Sequence, residues 1–177
     1  MGEEGRAIVL ALLSGVGLTG FFLAVGALFP GVVERSRRAA DRSPGRSFVV
    51  GLVNWAFLGA LGLGFSALAD SSGVDFFQLF AVLAFSLLAI LLAYGLTGLS
   101  QLTGARLIPT AHPVWQHVLG GWALILGGLT PFVGWFLLFP YFSIVAVGAV
   151  LLGWVRSRGR PPQAPPETEV GLEVQQE

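Results

Sequence analysis

Charged residues divide this chain into long uncharged stretches, and this division constrains the fold more than any other feature. No Asp, Glu, Lys or Arg occurs within residues 7–33, 47–69, 76–105 or 107–155. A helix needs about 20 apolar residues to cross the ~30 Å hydrocarbon core of a bilayer, and each of these stretches is long enough. The sequence therefore predicts an all-α, polytopic helical membrane protein.

Composition excludes the main soluble alternatives. Hydrophobic residues make up 54% of the 177 residues and charged residues only 11%, whereas an average soluble domain carries about 25% charged residues. This hydrophobicity also excludes a disordered chain. The absence of Cys excludes disulfides, thiolate catalysis and Cys-ligated metals. The net charge of zero predicts no basic surface for binding nucleic acid.

The uncharged stretches predict five membrane spans. Residues 115–155 would extend roughly 60 Å as a single helix at 1.5 Å per residue, so two spans are favoured there. The sequence Gly-Gly-Leu-Thr-Pro at 127–131 is the strongest turn signal between them. The predicted segments are a short outer N-terminus at 1–6, a bundle over 7–155 with spans at 7–29, 48–69, 76–99, 115–129 and 132–155, and a disordered Pro/Glu-rich cytoplasmic tail at 156–177.

Two other divisions of the last stretch are open. A cut at Pro140 would end span four at Phe139 and leave only about 16 residues for span five, which is short for a crossing. Under the preferred cut, Pro140 lies inside span five and is expected to kink it. A re-entrant hairpin over 115–139 is the other option, since broken Gly-rich helices are tolerated where they are buried in protein.

The distribution of Arg predicts the orientation. With five spans, one side of the membrane receives nine Arg and the other receives only Arg6. Basic residues in short loops mark the cytoplasmic side. We therefore expect a multi-pass protein of the bacterial inner membrane, with the N-terminus outside and the C-terminus in the cytoplasm. The nine residues are Arg35, Arg37, Arg38, Arg42, Arg46, Arg106, Arg156, Arg158 and Arg160.

The predicted spans offer little chemistry. No Asp, Glu or Arg lies inside them, although proton-coupled carriers usually need an intramembrane carboxylate or His and ion pores often need a ring of charge. His112 and His117 are five residues apart with Pro113 between them, whereas metal ligands on a helix prefer spacings of three or four. We expect no enzyme activity, no catalytic residue, no metal and no cofactor.

Small residues form the clearest internal pattern and predict close helix packing. Gly120, Gly127 and Gly134 recur at intervals of seven, which places them along the last predicted hairpin. Ala60 and Gly64 form a small-x-x-x-small pair in span two. Further pairs of this type are Gly15/Thr19, Gly62/Ser66, Ala93/Thr97 and Ala149/Gly153.

Packing suggests a non-enzymatic role. Asn54 is the most polar side chain in the spans, and we expect it to form an interhelical hydrogen bond. The predicted role is a scaffold or accessory subunit of a membrane assembly, with the lipid bilayer and other membrane subunits or a second copy as partners. The alternative is a small transporter or channel for an uncharged solute. That alternative requires a polar cavity lined by Asn54, Gln78 and Tyr94.

A series of short motifs also carries a family resemblance. FPGVVE at 29–34 precedes a basic stretch and PGRSF at 44–48, and later come GG at 120–121 and PFVGW at 131–135. This order resembles the multi-span membrane region that follows the bactofilin-like, polymer-forming domain in some bacterial proteins. The resemblance covers about 29–155, implies a scaffold role and assigns no catalytic residue.

Overall fold

The chain is helical throughout the described part of the computed structural model, which comprises residues 2–130 and 132–158. The predicted tail beyond residue 158 lies outside the described residues. The helices are α1 (Glu3–Leu28), α2 (Pro30–Arg42), α3 (Pro44–Ser72), α4 (Asp75–Leu107), α5 (Pro113–Leu129) and α6 (Phe139–Arg158), with a π-helical turn at Gly134–Leu138 directly before α6.

Several of these helices are long and apolar enough to cross a membrane. Three satisfy that criterion alone: Pro44–Ser72, Asp75–Leu107 and the combined segment Gly134–Ser157. A fourth is counted if Leu12–Leu28 and Pro30–Arg42, bent by 106° to each other, form one broken span. The predicted fourth span falls on α5, which has only 17 residues. Length and composition therefore support a multi-pass helical protein with three to four crossing helices.

Proline determines where three helices begin. Pro30, Pro44 and Pro113 each occupy the first turn of a helix, where the missing N–H group costs no hydrogen bond. A proline also disfavours the helical conformation of the residue before it. Phe29 accordingly adopts φ −129° and ψ 53°, and this residue is the bend between α1 and α2.

A tight turn joins α3 to α4. Gly73 caps α3 with φ +66°, a left-handed conformation that favours glycine because it has no Cβ. Beyond the turn the two helices run side by side, and Gly62 on α3 lies against the ring of Phe85 on α4. The ring centroids of Phe65 and Phe80 are 5.3 Å apart. The aromatic rings and the glycine thus hold the end of the hairpin together.

The centre of the fold is α6. All eight residues from 143 to 150 are buried, which requires neighbours on every side of the helix. Those neighbours are α2, α3 and α4. The buried cluster around α6 consists mostly of small side chains, namely Ala39, Ala40, Leu99, Val145, Ala146 and Ala149. Small side chains allow the helix axes to come close together.

The outer surfaces of α3 and α4 are apolar and uncovered. Only 17% of the most hydrophobic window of either helix is buried, compared with 44% for the segment containing α6. Leu63 and Leu83, for example, are 66% and 64% exposed. An apolar surface of this extent is suited to lipid rather than water.

Pro140 lies in the first turn of α6, immediately after the π-helical turn. A proline cannot donate the hydrogen bond to the carbonyl four residues earlier, and its ring crowds that carbonyl. A π-turn is one of the recognised ways in which a helix absorbs such an interruption. The helix therefore continues through Pro140, and the segment Gly134–Ser157 has the length of one apolar span.

Candidate functional site

One very close helix contact lies between α3 and α6. A Cβ atom placed on Gly51 would overlap the carbonyl oxygen of Ile144, and one placed on Gly148 would overlap the carbonyl oxygen of Ser47. The contact is therefore reciprocal, with each glycine lying on the backbone of the other helix. Such proximity is typical of helix pairs in membranes, where backbone Cα–H groups approach carbonyl oxygens.

A second contact of the same kind joins α4 to α5. A Cβ on Gly104 would overlap the carbonyl oxygen of Gln116, and a Cβ on Gly120 would overlap that of Ser100. The side chain of Gln116 also donates to the carbonyl oxygens of Ile108 and Ala111 at 3.2 and 3.1 Å. This residue consequently fixes the loop between α4 and α5 as well as their crossing.

Both crossings use the same short sequence pattern. Ser47 and Gly51 are four residues apart on α3, and Ser100 and Gly104 are four residues apart on α4. In each case the serine carbonyl faces the partner glycine and the glycine of the pair faces the partner backbone. These two Ser-x-x-x-Gly pairs were not among the predicted small-residue pairs, although small residues spaced by four are the signal that identifies them.

The three predicted glycines of the last hairpin occupy different environments. Gly120 lies in the α4–α5 crossing described above. Gly134 is buried at the turn after α5, where an added Cβ would be 2.5 Å from the carbonyl oxygen of Gly127 and 2.6 Å from that of Gly128. Gly127 itself faces the side chain of Leu138 at an ordinary 3.6 Å. The structure thus brings Gly127 and Gly134 together at this turn, while Gly120 lies in a separate helix contact.

The other predicted packing residues lie on α3 away from the crossing. Ala60 is exposed, and an added Cβ on Gly64 would have no heavy atom within 4 Å. Asn54 donates from Nδ2 to the carbonyl oxygen of Val50 at 2.8 Å, a bond within its own helix. This side chain is half-buried. In this chain, therefore, neither the Ala60/Gly64 pair nor the Asn54 amide group joins two helices.

Two further predicted pairs do lie in helix contacts. Gly15 on α1 faces the ring of Trp122 on α5, where an added Cβ would be 2.8 Å from the nearest ring carbon. Thr19, also buried, donates to the carbonyl oxygen of Gly15 at 2.8 Å. Gly153 on α6 lies against the backbone of Arg35 at 3.0 Å from its Cβ position. These contacts attach α1 and α2 to the bundle.

The short helix α2 presents an apolar side to the bundle and a charged side away from it. Val33 and Ser36 are buried, and an added Cβ on Gly98 of α4 would be 3.1 Å from the backbone nitrogen of Arg37. On the outer side Glu34 accepts from Arg38 at 2.7 Å. The helix is therefore amphipathic, with its small residues on the side that meets α4 and α6.

Polar contacts tie the ends of two helices, α4 and α6, to α2 and to the residue after it. Arg106 near the end of α4 bonds to Asp41 at 2.7 Å. Arg156 near the end of α6 donates to Ser43 at 3.1 Å. The Arg residues of α2, α4 and α6 thus lie at one end of the bundle. This is the arrangement that the positive-inside rule describes for a cytoplasmic face.

Both histidine side chains contact backbone groups at the start of α5. His112 is the residue before Pro113, and its Nδ1 accepts from the Val114 N–H at 3.5 Å. His117 Nδ1 lies 3.2 Å from the carbonyl oxygen of Pro113. In the described part of the chain, no group of three or more His, Asp or Glu side chains lies close enough together to hold a metal ion.

Comparisons with known proteins add no family to this geometry. Neither the protein-family models, nor the curated proteins, nor the solved structures include a match to the chain. The features of this chain that bear on function are therefore the helix crossings, the uncovered helix faces and the basic end of the bundle.

Proposed function

We propose that this chain is a non-enzymatic protein of the bacterial inner membrane that acts as a scaffold or accessory subunit. Its five spans would place the N-terminus outside and the C-terminus in the cytoplasm. The observation that carries the proposal is the division of its small-residue faces. Some of these faces pack against other helices inside the bundle. One such face, on α3, is left uncovered.

The uncovered face lies on the outer side of α3. Ala56, Ala60, Gly64 and Ala67 recur at spacings of three and four and are all exposed. Such a face lets another helix approach closely, and close approach is the main source of helix association where lipid removes the hydrophobic driving force. Inside the chain, α3 uses a comparable pair, Ser47 and Gly51, to bind α6. The same helix is therefore suited to a second, external helix.

The five-span arrangement also requires α1 and α5 to cross the membrane. Helix α1 is 26 residues long and α5 is 17 residues long, about 39 and 26 Å at 1.5 Å per residue. Both helices pack against α4. The strong bend after α1 gives α2 a direction at 106° to it, which keeps the charged α2 near one surface when α1 crosses.

Native mass spectrometry of the protein extracted in mild detergent tests the subunit role. We expect a stoichiometric complex with a membrane partner or a second copy, since the uncovered face requires another helix. The Ala60→Trp variant should lose that complex because the bulky ring prevents close approach. Leu83→Trp, at an equally exposed position on α4, is the matched control and should retain it. A wild-type protein that is monomeric and without partner contradicts the proposal.

Two cavities in the described residues bear on the transporter alternative. One is lined mainly by Arg side chains, and the other by apolar side chains with Tyr94 and Arg35. Neither contains Asn54 or Gln78, and Gln78 is exposed on the outside of α4. No observation therefore favours a path for an uncharged solute over the subunit role.

A further inference from the structure

An open groove of about 710 Å³ lies between α2 and α6 at the basic end of the bundle. Four guanidinium groups line it, three from successive turns of α2 and one from near the end of α6. No acidic side chain is among the lining residues, which are Arg35, Arg38, Ala39, Arg42, Gly153, Arg156 and Ser157. The groove is therefore a concentrated cationic surface built by two helices that are distant in the sequence.

Within residues 2–130 and 132–158, part of this positive charge has no carboxylate partner. Glu34 pairs with Arg37 and Arg38, and Asp41 pairs with Arg106. Arg35 and Arg156 bond to the neutral hydroxyls of Ser157 and Ser43. Arg42 has no ion pair among the side chains that the structure describes. An anion in the groove would thus meet at least three guanidinium groups that have no carboxylate partner among the described residues.

A second, apolar cavity adjoins the basic groove at Arg35. Its volume is about 310 Å³, and it lies between α2, α4 and α6. Arg35 lines both cavities, and Trp154 of the apolar cavity follows Gly153 of the basic groove along α6. The remaining lining is hydrophobic apart from the Tyr94 hydroxyl: Val32, Leu87, Ile90, Leu91, Val150 and Leu151.

We propose that the two cavities together form a binding site for one anionic phospholipid. The phosphate of the headgroup would lie among Arg35, Arg42 and Arg156, because guanidinium groups bind phosphate with charge-assisted hydrogen bonds. One acyl chain would fill the apolar cavity beside Ile90. Basic pockets between membrane helices are suited to anionic headgroups, and the adjoining apolar cavity explains why the ligand is a lipid rather than a soluble phosphate.

Lipid titration followed by native mass spectrometry tests the headgroup part of the site. The detergent-solubilised protein is titrated with phosphatidylglycerol, with phosphatidylcholine and with glycerol phosphate. We expect one tightly retained phosphatidylglycerol, with phosphatidylcholine bound at least tenfold more weakly. Glycerol phosphate at the same concentration should not displace the lipid. If it binds as tightly as the lipid, the site is one for a soluble phosphate and the lipid assignment is wrong.

Substitution of one Arg distinguishes lipid binding in the groove from general electrostatic attraction to the basic end of the bundle. Arg42→Gln should weaken phosphatidylglycerol binding about fivefold, the effect of one Arg at an anionic surface. Arg46→Gln removes an equally exposed Arg that follows shortly in the sequence but does not line the groove. This control should leave the affinity within twofold. Equal weakening by both variants would show attraction to the basic end as a whole and overturn the site.

A substitution in the apolar cavity tests the proposed position of the acyl chain. Ile90→Trp fills the apolar cavity without changing any charge, and it should lower the retention of phosphatidylglycerol about tenfold. Leu83→Trp, on the uncovered outer face of α4, should have no effect. Unchanged lipid retention in Ile90→Trp overturns the assignment of the chain. The site does not depend on the subunit role, because lipid retention and the loss of a protein partner in Ala60→Trp are measured separately.

Discussion

Gly51 and Gly148 face each other where α3 crosses α6. A Cβ atom on either residue would overlap the backbone of the opposite helix. The obstructing atoms are backbone carbonyl groups of Ile144 and Ser47, which belong to helices and cannot rotate away. The separation of α3 and α6 is therefore set by the absence of two side chains. This relationship holds the start of α3 against the most buried segment of the molecule.

Replacement of Gly148 by Ala is expected to destabilise the protein by about 2–3 kcal/mol, because the helices must separate and lose packing on both sides of the crossing. Thermal unfolding in detergent, followed by tryptophan fluorescence, measures the change. Gly64→Ala on α3 is the control, since its Cβ meets no atom within 4 Å. That variant should be neutral or slightly stabilising. Equal loss in both would contradict the crossing.

The α4–α5 crossing allows a comparison of adjacent glycines. Gly120→Ala should destabilise by roughly 1–3 kcal/mol, because the added methyl group meets the carbonyl of Ser100. Gly121→Ala places its methyl group 3.5 Å from the Phe22 ring, an ordinary contact, and should cost little. Denaturation of both variants in the same detergent measures the change in the free energy of unfolding for each. If Gly121→Ala is the more damaging, the described register of α5 against α4 is wrong.

The Arg106–Asp41 pair is expected to contribute little to stability. The two side chains are 66% and 54% exposed, and exposed ion pairs typically contribute about 0.2–1 kcal/mol. A double-mutant cycle with Arg106→Gln and Asp41→Asn measures the coupling. The coupling should decrease between 50 and 500 mM salt because screening weakens it. A coupling above about 2 kcal/mol would indicate a desolvated pair and contradict the described exposure.

The proposed orientation predicts which side of the membrane each loop reaches. The chain has no Cys, so a single introduced thiol reports its own position. Ser71→Cys, at the end of α3 beside the turn to α4, should react with a membrane-impermeant maleimide added to intact spheroplasts. Thr110→Cys, in the loop between α4 and α5, should react only after the membrane is broken. The reverse pattern would overturn the orientation, and labelling of both in intact cells would overturn the span count.

Helix boundaries were predictable where the cause is local. Pro30, Pro44 and Pro113 begin helices, and the uncharged stretches correspond to α1, α3, α4 and α6. The predicted third span ends at about Leu99, and helix α4 continues beyond that position to Leu107. Buried residues such as Ser100 and Gly104 stabilise this extension through α5 and neighbouring helices. That support comes from residues elsewhere in the chain, so apolar length alone did not reveal it.

The packing residues were harder to predict. A helix with many small residues has several faces that permit close approach, and lipid is as apolar as a leucine side chain. The predicted pair Ala60/Gly64 and the observed pair Ser47/Gly51 therefore look equivalent in sequence. Their positions in the bundle distinguish them, because α6 passes only beside the second. The amide of Asn54 likewise donates its hydrogen bond to the Val50 carbonyl oxygen within its own helix.

By itself, the sequence determined that this protein is helical and has the apolar lengths of a multi-pass membrane protein. Those properties depend on the composition of each segment and on prolines that remove one N–H group each, and both are local. Only the tertiary structure decided which glycines meet a backbone and which face outward. It also decided that Arg42 of α2 and Arg156 of α6 line one groove, since that proximity arises from how the helices cross and not from any pattern within one of them.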